Sequence, residues 1–140
     1  MRAKDYLKRI REIDENVEDL MDQIARLKNV AEGLSGRVEG EKVQSSGPKD
    51  GMEKAIVRYI SLEEKLTSDM VLELEERAEI MQIFNVLSRD EHQVLRLIYV
   101  SGLDYYSVSD VTQRSYNWVK KKHATGIKKV QAELDRREAE

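Results

Sequence analysis

Residues Gly102 to Val130 read GLDYYSVSDVTQRSYNWVKKKHATGIKKV, and this run decides how the C-terminal part of the chain folds. Asp104 stands where a helix N-cap is needed, ahead of Tyr105, Val108 and Val111. Gln113-Arg114 follows as a turn. Ser115 caps a second helix that continues through Val119, Ile127, Val130 and Leu134. Short oxygen-bearing side chains mark helix starts because they accept hydrogen bonds from the first unpaired backbone N–H groups. Just upstream, Ser88 and Glu91 have the Ser-x-x-Glu spacing of a capping box, before Val94, Leu95, Leu97 and Ile98. Ser101-Gly102 closes that helix. Three helices with tight connections are predicted, the last two forming a helix-turn-helix.

The N-terminal part follows a different rule. Tyr6, Ile10, Ile13, Val17, Leu20, Ile24 and Leu27 are spaced 4, 3, 4, 3, 4 and 3, a heptad stripe widened by Leu7, Met21 and Val30. One long amphipathic helix is predicted from about Lys4 to Leu34. Gly33–Gly51 holds five of the seven glycines, with Ser35, Ser45, Ser46 and the single Pro48, and reads as a loop. A second long helix is expected from Asp50, as N-cap with Glu53 as its capping-box partner, to Leu87. Its apolar positions are Met52, Ile56, Tyr59, Ile60, Leu66, Met70, Leu74, Met81 and Phe84. Their period drifts, and Glu63 and Glu73 interrupt it. The predicted architecture is all-α: a long coiled-coil-like hairpin over 1–87 with its loop at 33–51, then a helix-turn-helix domain over 88–140. The apolar surface exceeds what one hairpin buries, which predicts self-association, most simply a dimer.

Composition narrows the function classes. The chain has 140 residues, 36% charged and 6% aromatic, and no cysteine, so disulfides and thiolate metal sites are excluded. His92 and His123 are far apart, and no metal site or cofactor is expected. Glu63-Glu64 and Glu75-Glu76 read as solvated helix surface rather than acid–base pairs. Without a phosphate loop or a catalytic constellation, the chain is not expected to be an enzyme. No apolar run approaches a membrane span, and the start lacks an apolar signal core, so a cytoplasmic protein is expected. The net charge is −3, but its distribution is uneven. Arg114–Val130 carries six basic residues and no acidic one. Local potential at a contact face governs nucleic-acid binding more than the total charge.

The spacing of Leu87, Glu91, Val94, Leu95 and Leu97, then Gly102, Leu103, Asp104, Tyr105, Val108 and Ser109, then Ser115, Val119, Gly126, Ile127, Lys128, Lys129 and Val130 resembles sigma-70 region 4 without a gap. The layout is also similar to small phage-encoded transcription regulators of the RinA and ArpU late-activator kind, including Lys4-Asp5-Tyr6-Leu7 and Val43-Gln44-Ser45-Ser46. The chain departs from the pattern at Thr112 and Lys122, where apolar residues are usual, and at Gln113, where glycine is favoured. Lys122 can lay its stem over the core and keep its amine in water. The resemblance implies regulation of phage or prophage genes in a bacterial host cytoplasm, by a recognition helix in the major groove of double-stranded DNA, with RNA polymerase as a possible partner. It implies base-edge contacts from Tyr116, Asn117, Lys120, Lys121 and Thr125, and phosphate contacts from Arg114, Ser115, Lys122, Lys128 and Lys129. Tyr105 and Trp118 are expected to pack. Two other readings stand beside this one: a DNA-packaging protein like a small terminase subunit, and a coiled-coil adaptor that does not bind DNA.

Overall fold

The computed structural model describes the backbone of residues 1–40 and 49–140, and over these residues the protein is all-α, with no strand. The helices are α1 (Ala3–Gly40), α2 (Lys49–Met81), α3 (Arg89–Tyr99), α4 (Tyr105–Thr112) and α5 (Tyr116–Glu138), with a 3-10 turn at Gln82–Val86 between α2 and α3. No helix among the described residues is long and apolar enough to cross a membrane.

Three boundaries differ from the sequence expectation. The loop expected at Gly33–Gly51 is helical as far as Gly40 and again from Lys49. An isolated glycine costs a helix only about 1 kcal/mol, and no proline intervenes before Gly40, so α1 runs on. Residues 41–48, with Val43-Gln44-Ser45-Ser46, lie outside the described residues. Asp50 falls inside the first turn of α2 rather than at its N-cap, and α2 ends at Met81, where the chain tightens into the 3-10 turn.

The drift expected along α2 also resolves. Met52, Ile56, Tyr59, Glu63, Leu66, Met70, Glu73 and Arg77 are half-buried, and Ile80 is buried, at a strict spacing of 4, 3, 4, 3, 4, 3, 4 and 3. Glu63 and Glu73 belong to this stripe. Each meets a polar partner on α1, so the heptad persists through them. Ile60 and Leu74 belong to a different face.

The chain divides into two compact units, Met1–Asp14 with Glu75–Glu140, and Glu15–Leu74. The boundary expected at 87/88 falls inside the first of these. That unit holds every fully buried apolar residue among those described. Leu7, Ile10 and Ile13 come from α1, Ile80 from α2, and Ile83 and Phe84 from the 3-10 turn. Val94, Leu95 and Tyr99 come from α3, Val108 from α4, and Val119, Val130 and Leu134 from α5. The start of α1 is tied to α5: Ala3 N–H donates to Gln131 Oε1 at 2.8 Å, and Gln131 Nε2 donates to the Met1 carbonyl at 3.1 Å. Between α1 and α2, Arg9 forks onto both oxygens of Glu76 at 2.9 and 3.0 Å, and Arg77 donates to Asp14 at 2.6 Å. The Arg9 hydrogen bonds hold the Glu76 carboxyl below its ordinary range.

In the unit Glu15–Leu74, α1 and α2 run antiparallel. Lys28 pairs with Glu63 at 3.7 Å, and Asn16 donates to Glu73 at 3.5 Å. Val17, Leu20, Ile24 and Leu27 carry the expected stripe of α1, yet each is only half-buried.

The placement of Ile10 yields a test. Ile10→Ala should lower stability by about 2–5 kcal/mol, the usual cost of emptying a sealed core site. The loss should appear in the fluorescence of Trp118, the only tryptophan, as an earlier urea midpoint. An unchanged midpoint would show that α1 contributes nothing to the C-terminal helices.

Candidate nucleic-acid interface

Helix α5 is the centre of the C-terminal unit, and its inner stripe explains its placement. Val119, His123, Gly126, Val130 and Leu134 are buried at spacings of 4, 3, 4 and 4. At Gly126, an added Cβ would stand 2.6 Å from Cδ1 of buried Leu95. Helices α3 and α5 therefore cross at a distance only glycine admits without displacing Leu95. Val94, Val108 and Val119 form a sealed cluster under Leu97, Ile98, Leu103, Tyr105 and Trp118, so Tyr105 and Trp118 pack as expected.

Of the four predicted N-caps, the three that precede α3, α4 and α5 form. Ser88 Oγ accepts from Glu91 N–H, and the Glu91 carboxylate accepts from Ser88 N–H at 2.8 Å, completing the capping box. Asp104 accepts from Ser107 N–H at 2.8 Å, and Ser115 accepts from Trp118 N–H at 3.1 Å. Glu91 does a second job. Its carboxylate is buried and accepts from Lys129 Nζ at 2.7 Å, joining the start of α3 to α5. Burial opposes the charge, but hydrogen bonds from Lys129 and Ser88 outweigh it and bring the pKa down to about 2.

The turn between α4 and α5 is tight without glycine. Gln113 takes a left-handed conformation at φ 57° and ψ 34°. Its carboxamide donates to the Asp110 carbonyl at 2.7 Å, and Thr112 Oγ1 donates to the Val108 carbonyl at 2.7 Å. Ser109 Oγ donates to the Arg114 carbonyl across the turn. The hydroxyl of Thr112, at a position where an apolar residue is usual, thus finds a partner within its own helix.

His123 was missed as a structural residue, although its spacing from Val119 and Gly126 places it on the inner stripe. Its Nε2 meets the Tyr99 hydroxyl at 2.7 Å, and its Nδ1 meets the Tyr105 hydroxyl at 2.8 Å. A neutral imidazole donates at one nitrogen and accepts at the other, so one tyrosine accepts and the other donates. Burial, and then the charge of Lys4, lower the His123 pKa to about 4, while burial raises the Tyr99 hydroxyl to about 12. Among the described residues no cluster of His, Cys, Asp or Glu has the makings of a metal site.

The outer face of α5 lies opposite that stripe. At about 100° per residue, Asn117, Lys121, Ala124 and Lys128 project together, and all four are exposed. Lys120, also exposed, flanks them. The other candidates are placed differently. Tyr116 is half-buried, with its ring against Tyr105 and Tyr106 at centroid distances of 5.8 and 4.7 Å. Thr125 is half-buried and donates to the Lys122 carbonyl at 3.2 Å. Lys122 is half-buried on the same flank as Trp118. Lys129 is engaged by Glu91. Arg114 lies over the Trp118 ring at 5.0 Å, and the Ser115 hydroxyl is used by its own helix. The ten candidates thus separate into an outward group, Asn117, Lys120, Lys121 and Lys128, and a group that is half-buried or engaged by intramolecular partners.

No protein-family model, no curated protein and no solved structure matches this chain.

Two measurements test this geometry. Gln113→Gly removes the left-handed strain and should raise stability by about 0.5–1 kcal/mol despite losing the carboxamide bond; a lower melting temperature would contradict the turn. The second is a pH dependence. The folded state binds fewer protons than the unfolded chain between the His123 pKa of about 4 and the ordinary 6.5. Stability is then full above that range and falls as pH drops through it, by about 2 kcal/mol between pH 7.5 and 5. Urea unfolding at both values should show the loss in the parent chain and a flattened response in His123→Gln.

Proposed function

We propose that this protein is a sequence-specific double-stranded DNA-binding regulator of transcription, with α4 and α5 as its helix-turn-helix and α5 in the major groove. One observation carries the reading. The face of α5 opposite the core presents Asn117, Lys121 and Lys128 in line, with Lys120 beside them and small Ala124 between. A B-form major groove, about 12 Å wide, admits one helix, and a small residue at the middle of its face allows close approach. No acidic residue lies between Arg114 and Val130 to oppose a phosphate backbone.

The proposed roles follow from placement. Asn117 matches the paired donor and acceptor of adenine, and Lys121 the acceptors of guanine. Lys120 reads an adjacent edge. Lys128 meets phosphate, and Arg114 reaches it while stacked on Trp118. Tyr116 and Thr125 support the helix rather than read bases, and Lys129 holds Glu91. Backbone N–H groups at the start of α5 add a phosphate site of the kind helix N-termini provide. By its resemblance to sigma-70 region 4, RNA polymerase is a candidate partner, and phage or prophage promoters are the expected targets.

Selection of bound sequences from random duplexes, at stated salt, tests the reading directly. An enriched motif is expected. Asn117→Ala should relax preference at one base position at a cost of about 1–3 kcal/mol, whereas Lys128→Ala should weaken all sites and reduce the salt slope by about one. Salt-insensitive or absent binding would overturn the proposal.

A further inference from the structure

Helix α2 carries a second stripe. Val57, Ile60, Glu64, Thr67, Val71 and Leu74 are spaced 3, 4, 3, 4 and 3, and every one is exposed. Val57 is 61% exposed, Ile60 50%, Val71 44% and Leu74 43%, which is far from the burial such side chains find in a core. Helix α1 is already committed to the neighbouring stripe, through Lys28–Glu63 and Asn16–Glu73. What remains is a heptad seam roughly 26 Å long, from the rise of about 1.5 Å per residue, and among the described residues no second helix lies on it.

We propose that this seam is an antiparallel interface with α2 of a second copy of the chain. Its order reads the same from either end: two apolar residues, two polar, two apolar. Reversed on itself, Val57 meets the partner's Leu74, Ile60 meets the partner's Val71, and Glu64 meets the partner's Thr67. Two-fold symmetry then repeats each contact. A parallel pairing would instead set Glu64 against the partner's Glu64 inside the seam. The open flank agrees. Lys54, Ser61, Ser68 and Glu75 follow the seam at heptad intervals along α2. Antiparallel pairing lays Lys54 beside the partner's Glu75, opposite in charge, and Ser61 beside the partner's Ser68, small enough for close approach. Four apolar residues per copy make a modest core, so the dimer dissociates on dilution. The polar centre fixes the register and weakens the dimer, as buried polar residues do in coiled coils. The inference rests on α2 and is independent of how α5 is read.

Sedimentation equilibrium of the full chain over a wide concentration range should show a monomer–dimer equilibrium. Val71→Glu, at an exposed site, should weaken the dimer by at least about 100-fold with helical circular dichroism unchanged, because it sets charge in the seam without touching the monomer core. Glu64→Leu should tighten it about tenfold or more. Lys54→Glu and Glu75→Lys should each weaken it, and the two together should restore it. Because the chain has no cysteine, orientation is directly readable. Oxidising a mixture of V57C and L74C chains should cross-link one to the other, while V57C alone should not cross-link to itself. A monomer at all concentrations, an unaffected Val71→Glu dimer, self-linking of V57C or a ring of more than two copies would each overturn the proposal.

Discussion

The C-terminal unit depends on how closely α5 approaches its neighbours. Its inner stripe has no Cβ at Gly126, and that absence sets the distance to Leu95. Once α5 lies there, Lys129 reaches Glu91, and His123 reaches both Tyr99 and Tyr105. The buried polar groups are satisfied because the backbone crossing puts their partners within reach; among the described residues none is left unpaired. The same crossing turns Asn117, Lys121 and Lys128 outward. Core and candidate interface are two sides of one helix, related by the period of 3.6.

Sequence reading recovered features that are written locally. Ser88, Asp104 and Ser115 are caps because a cap needs only its own residue and the N–H groups just after it. The stripe of α1 was equally legible, since a heptad is a local pattern. Features that depend on distant partners were not. Glu63 and Glu73 looked like interruptions because Lys28 and Asn16, which accommodate them, lie far away in sequence. Ile60 and Leu74 blurred the period because two faces of α2 are apolar and were read as one.

The candidate site shows the same division. Its location on α5 could be read from the run of basic residues and the cap at Ser115. Which side chains face outward could not, because that depends on which stripe is buried. Lys129 and Lys128 are adjacent and chemically identical, yet one reaches back to a buried carboxylate and the other lies on the outward face. Gln113 is a further case. Glycine is favoured at that turn, and the carboxamide that Gln113 brings instead bonds to Asp110 and braces it.

The tie between Ala3 and Gln131 has a kinetic meaning. Residues that begin α1 bond to residues far down the chain, while Glu15–Leu74 forms its own unit between them. Closing so long a stretch of disordered chain is entropically slow, and contacts of high sequence separation are late in folding. The intervening antiparallel pair shortens that search if it assembles first. The C-terminal helices then gain their full core only after the start of α1 has been brought back to them.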